Sequence, residues 1–178
     1  KLLQEAWAEG KILADLPSSC APKNEAEATA IGDAIILNFG HEIGGWKIGA
    51  TGEGPQKALG LTQPFVGAIR ASNVLSSPAN FQFANLNRPI VESEYAYRLK
   101  TDLPVRTEGY SRSDIEAAIG SIICGIEVPL SRLSADNTLG PLALLADHGG
   151  TGYYLIGAEI EDWKSVDAIN TDVTLTFD

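Results

Sequence analysis

Val91-Glu92-Ser93-Glu94-Tyr95-Ala96-Tyr97-Arg98-Leu99 sets two carboxylates two residues apart among β-branched and aromatic neighbours, a composition that asks for a strand. In a strand, residues i and i+2 share a face with α-carbons ~6.5–7 Å apart, so the Glu92 and Glu94 side chains can converge on one point. Two readings are open at this spacing. The pair is either a solvated strand face or part of an oxygen shell for a divalent cation such as Mg²⁺ or Mn²⁺.

Working outward, Ser121-Ile122-Ile123-Cys124-Gly125-Ile126-Glu127-Val128 reads as a buried strand carrying one carboxylate out of place. A buried acid is neutralised, paired with a cation or bound to metal, so Glu127 needs a distant partner: an arginine or lysine, or a metal ion. Lys47 is one candidate. It stands among Trp46, Ile48 and Ala50, and strand alternation points it away from Trp46 and Ile48. It is either a merely exposed lysine or an ammonium set in apolar surroundings that suit proton transfer.

The chain has 178 residues with 44% hydrophobic content, enough for one substantial core, so a single domain over residues 1–178 is expected. No apolar stretch approaches the ~20 residues of a membrane span, and no charged-then-apolar leader opens the chain. A net charge of −10 with 13 scattered Lys and Arg residues argues against nucleic acid and against membrane surfaces as partners. Cys20 and Cys124 form neither a disulfide framework nor a zinc pattern, which points to a reducing cytoplasm, and His41 and His148 lack the spacing of a zinc pair. The chain has no methionine, and Asp172 to Asp178 alternates like a strand that stops abruptly. It is therefore expected to be incomplete at its C-terminus.

Leu3, Ala6, Trp7, Gly10 and Leu13 or Ala14 recur at helical spacing over Leu2 to Leu16, ahead of Pro17. Asn24 with Glu27 opens a second helix whose apolar face runs through Ala28, Ile31 and Ile35 to Phe39, with Gly40 to end it. These helices make a cap over residues 1–43. Short strands punctuated by Gly and Pro fill 44–178: Trp46 to Ala50, Gln63 to Ile69, the Glu92 and Glu127 runs, Tyr153 to Ile156, and Val173 to Phe177. A helix is expected before the Glu127 strand, boxed by Ser113 and Glu116 with Ile115, Ala118 and Ile119 buried. Strands with outlying helices, without βαβ alternation, indicate an α+β fold. The loop Ala50-Thr51-Gly52-Glu53-Gly54-Pro55 lacks phosphate-loop spacing and carries a repelling Glu53, so it reads as an ordinary surface turn, the alternative being a mobile loop beside a site. His148 sits in turn chemistry as a structural residue, and no Gly-x-Ser-x-Gly elbow is present.

Taken in order, Gly45-Trp46-Lys47-Ile48-Gly49, Gln63-Pro64 with Gly67, the Glu92–Leu99 run with Asp102-Leu103-Pro104, and Ile126-Glu127-Val128 with Ser131-Arg132 resemble the 2-keto-4-pentenoate hydratase family of the fumarylacetoacetate hydrolase superfamily. The resemblance implies a mixed β-sandwich roll, homo-oligomeric, with Glu92, Glu94 and Glu127 holding Mg²⁺ or Mn²⁺ and Lys47 as the active-site lysine. It implies a lyase of aromatic catabolism acting on an unsaturated 2-oxo acid, first as a hydratase. The alternatives are a 4-oxalocrotonate decarboxylase-like enzyme, an acylpyruvate hydrolase-like one, or a catalytically silent oxo-acid-binding relative. Two departures stand out. Phe65 replaces the acid in the family's Gln-Pro-Asp-x-Gly, and His148 stands where the family reads Asn after Asp, so no role passes to Asp147-His148. Family members also continue past a strand like Val173 to Phe177.

Overall fold

The computed structural model describes residues 1–82 and 90–176. In chain order the elements are α1 (Leu2–Glu9), α2 (Glu25–Leu37), β1 (Ile43–Gly49), α3 (Glu53–Leu59), β2 (Phe65–Arg70), β3 (Val74–Ser76), β4 (Glu92–Leu99), α4 (Arg112–Ala118), β5 (Ile119–Val128), α5 (Pro141–Ala146) and β6 (Tyr153–Ile160), an α+β set.

Helix α1 is shorter than its periodicity suggested. Gly10 adopts φ 64°, and its own N–H and that of Lys11 turn back onto the carbonyls of Trp7 and Ala6, closing the helix seven residues before Pro17. Leu13 leaves the helix to bridge Leu133. Helix α2 starts as expected: Asn24 Oδ1 accepts from the Glu27 N–H at 2.9 Å, while Glu27 accepts from the Lys23 N–H at 2.9 Å. Its Gly32 lets α5 come close, since a Cβ there would lie 2.5 Å from the Leu145 carbonyl oxygen.

Three other expectations need correction. The 50–55 loop turns directly into α3. Helix α4 is boxed by Ser111 and Asp114 rather than Ser113 and Glu116, because Asp114 both caps Ser111 and binds Arg106 at 2.7 Å; Ile115 is exposed. Residues 173–176 are exposed and form no strand with the other described residues, since alternation alone supplies no neighbouring strand; Phe177 lies outside the described residues.

The strands form two sheets. β1 and β2 pair antiparallel, and β3-β6-β5-β4 make the larger sheet, parallel only between β3 and β6. β5 is one of the larger sheet's two inner strands, and its Ile122 and Ile123 are almost fully buried. One core lies between α1, α2 and α5, built on Leu3, Ala28, Ile35, Phe39, Leu133 and Leu145. A second, Ile69 with Ile123 and Tyr154, joins the two sheets beneath the acids. On the reverse face of the large sheet, Ser93, Tyr95, Cys124, Ile126 and Leu155 help line a cavity of about 400 Å³ beside residues 171–174.

Candidate metal centre

The strand reading of residues 92–99 holds, and register does the rest. β4 runs beside β5 so that Glu92 faces Glu127 and Glu94 faces Gly125. Carboxylate oxygens of Glu92, Glu94 and Glu127 all lie within 4.8 Å of one another. Residues separated by more than thirty positions thus meet because paired residues on neighbouring strands share a face.

Lys47 arrives from the other sheet. Trp46 and Ile48 are 55% and 60% exposed, so alternation along β1 turns Lys47 inward, where Nζ stands 2.8 Å from Glu127 Oε1. Its side chain is 8% exposed and that of Glu127 is 2%, so the exposed-lysine reading is excluded and the pair is buried. Two glycines make that approach possible. Gly67, opposite Lys47, leaves space for the His148 carbonyl, which a Cβ would meet at 2.4 Å. Gly149, at φ 81°, lies against the Phe65 ring and the Lys47 stem. Phe65 itself walls the lysine, its ring centroid 5.6 Å from Nζ.

The electrostatics are strained in one direction. Burial, then the charges of Glu127 and Glu92, push the Glu94 carboxyl up to about 7 against the pull of Lys47. Burial also raises Glu127, more than Lys47 lowers it. Were all three carboxylates ionised, they would outnumber the one ammonium by two charges, and a divalent cation bound there would offset that excess and favour the ionised forms. The all-oxygen donor set, buried at Glu127 and more open at Glu92 and Glu94, fits Mg²⁺ or Mn²⁺ and suits neither zinc nor a soft metal.

Behind Lys47 lies a network that sequence reasoning missed. Asp147 accepts from the Arg132 backbone N–H and from Nε, each at 2.7 Å, while Arg132 Nη1 donates to the Thr151 carbonyl at 2.7 Å. Arg132 Nη2 also meets His148 Nε2 at 3.2 Å; an arginine only donates, so Nε2 accepts and Nδ1 carries the proton toward Thr151 Oγ1 at 2.7 Å. Burial, then Arg132 and Lys47, hold His148 neutral down to about 3. The turn reading of His148 is correct, with the addition that the turn is buried and fixes the loop against Lys47. Tyr154 was missed as well. It pairs with Glu127 across β6 and lies over Gly125, and only the strand order could have announced that.

No protein-family model matches the chain. It is 30% identical over 179 residues to a 2-keto-4-pentenoate hydratase of Burkholderia vietnamiensis, covering 99% of this chain and 67% of that protein. A 2-keto-4-pentenoate hydratase of Paraburkholderia phymatum is 29% identical, with the same two coverages of 99% and 67%. A 2-hydroxypent-2,4-dienoate hydratase of Pseudomonas putida is 30% identical over 134 residues, 75% of this chain and 59% of that one. The fold matches 4-oxalocrotonate decarboxylase from Pseudomonas putida G7, solved with magnesium and adipate, at a TM-score of 0.78 and 21% identity over 93% of this chain and 63% of that one. The chain thus spans at most about two thirds of the length of these relatives.

Proposed function

The chain belongs to the 2-keto-4-pentenoate hydratase family, and from that premise we propose that it serves a divalent-metal-dependent lyase acting on unsaturated 2-oxo acids, first as a hydratase of 2-hydroxypenta-2,4-dienoate. The observation that carries the reading is the cluster of three carboxylates within 4.8 Å, one of them buried against Lys47. Glu92, Glu94 and Glu127 would hold the Mg²⁺ or Mn²⁺ ion, whose Lewis acidity stabilises negative charge as it develops on the 2-oxo group.

The remaining work falls to the chain's own side chains. Lys47 Nζ is the ammonium in the site, and it holds or moves the proton as the substrate's conjugated system shifts. Glu127 keeps that ammonium oriented by their 2.8 Å contact. Phe65 and the Gly149 backbone wall the lysine on its apolar side and limit water there. His148, neutral and engaged at both ring nitrogens, serves position rather than proton transfer.

Phe65 also favours a second reading, decarboxylation. An aromatic ring beside Lys47 offers no group to activate water, whereas loss of CO₂ from an unsaturated 2-oxo acid needs none. On either reading the fold is the superfamily's β-roll, one domain under the cap of residues 1–43, in a homo-oligomeric enzyme of aromatic catabolism. The two free cysteines suit the cytoplasm. Among the described residues no helix is long and apolar enough to cross a membrane.

Glu92→Gln with Glu94→Gln tests the proposal. The double variant is expected to lose both Mg²⁺-dependent thermal stabilisation and turnover of 2-hydroxy-dienoates; full activity in it would overturn the metal-dependent reading. Assaying dienoate hydration beside CO₂ release from 4-oxalocrotonate separates the two chemistries, and metal and oxalate binding without either turnover would mark a silent relative.

A further inference from the structure

Among the described residues, Arg70 Nε and the Tyr154 hydroxyl are buried polar groups without a hydrogen-bond partner that nothing in the proposed chemistry uses, and of the two Tyr154 lies beside the acids. The residue is 7% exposed, and its phenol oxygen is sealed from solvent with no hydrogen-bond partner among the described residues. A buried hydroxyl left unmade costs on the order of 1–3 kcal/mol, so an unpaired one in a well-packed sheet needs a reason. Its location supplies one. Tyr154 pairs with Glu127 across β5 and β6, but its ring leans along β5 to the next position on that face, Gly125. A Cβ on Gly125 would stand 2.2 Å from the phenol oxygen, so only glycine leaves the ring this seat. On the far side of Gly125, by register, is Glu94.

The oxygen therefore sits on the sheet face of the three acids, one strand from Glu94 and out of reach of water. A small ligand cannot reach it without displacing protein. Of the three acids, Glu94 is the one whose strand partner lacks a side chain, so its carboxylate has a clear path across Gly125 toward the phenol.

Resting on the metal-dependent reading above, we propose that Tyr154 is a positioning residue: its phenol O–H donates to the Glu94 carboxylate when Glu94 ligates a divalent ion, fixing which oxygen faces the ion. Outer partners of ligating carboxylates typically contribute 10–100-fold to metal affinity, through orientation rather than through the fold. Gly125 is part of the same device, because it carries the phenol past Glu127 to Glu94.

Mn²⁺ titration calorimetry on the wild type, Tyr154→Phe, Glu94→Gln and the double variant tests this. Tyr154→Phe keeps the ring and removes only the orphaned hydroxyl, so without metal it is expected to melt at or above the wild-type temperature while binding Mn²⁺ about ten-fold more weakly. In a Glu94→Gln background the same change should lose little more, because Tyr154 acts through Glu94. Gly125→Ala, which displaces the phenol, should copy the affinity loss of Tyr154→Phe. Unchanged Mn²⁺ affinity in Tyr154→Phe overturns the proposal while leaving the metal-dependent reading intact. A metal-free destabilisation with unchanged affinity does the same and makes Tyr154 a packing residue. A wild type that binds no Mn²⁺ overturns both.

Discussion

Two buried ion pairs stand on either side of the His148 loop, and they are built to opposite standards. Arg132–Asp147, with side chains 4% and 0% exposed, is saturated: Arg132 donates to a carboxylate, two carbonyls and an imidazole, and Asp147 takes further bonds from a backbone N–H and from Ser131. Lys47–Glu127, at 8% and 2%, is as deeply buried but leaves one ammonium to answer for three acids. The first satisfies every charge it buries and so fixes a shape. The second leaves charge over and so has capacity for a ligand.

Breaking each pair is the sharpest comparison. Arg132→Met strands a buried Asp147 and is expected to cost about 3–5 kcal/mol in urea denaturation, with Mg²⁺ restoring none of it. Lys47→Met also strands a buried acid, but in a site where a divalent ion can take over as counter-charge, so Mg²⁺ should recover most of the loss. Equal recovery in both variants, or recovery in neither, would erase the distinction.

Acid titration of the metal-free protein should set His148 against Glu94 by sign. Unfolded His148 takes up a proton near 6.5, whereas the native residue refuses it until about 3, so the contribution of His148 to stability is lost as pH falls through that window. Glu94 does the reverse: native Glu94 protonates near 7 and the unfolded residue near 4.5, so stability is gained as pH falls between them. Melting temperatures against pH should therefore decline less steeply between about 6.5 and 3 in His148→Gln and show a smaller opposing rise below about 7 in Glu94→Gln. A His148→Gln profile parallel to wild type would contradict the neutral, doubly engaged imidazole.

The smallest effect lies outside both pairs. Asn24→Ala removes the α2 cap and should cost about 1 kcal/mol whether or not Mg²⁺ is present, a baseline against which metal-sensitive losses can be judged.

What could be read in advance follows a physical line. Glu127 was legible because a charge in an apolar strand is costly wherever the strand lies, and Lys47 because alternation fixes its side once the strand is granted. The Glu92 and Glu94 pair was ambiguous alone, since register with β5 decides whether the pair meets a third acid. Tyr154 and the Arg132–Asp147 network were illegible for the same reason in stronger form: β6 lies beside β5 and the 147–151 loop beneath Lys47 only through long-range pairing. Local misreadings had local causes. Ser111 and Ser113 each precede an acid by three residues, and Arg106 favours the first. Residues 173–176 alternate like a strand, but a strand needs a partner.

Among the described residues, β1 and β2 share no backbone ladder with the four-stranded sheet. Lys47 stands on one side of that division and the three acids on the other, so the site is a seam between two independently hydrogen-bonded plates. A ligand that touches both plates adds its binding free energy to their adhesion, and loosening the plates lowers affinity by the same amount. Amide hydrogen exchange in β1 and β2 would thus report occupancy of a site to which those strands contribute a single charged atom.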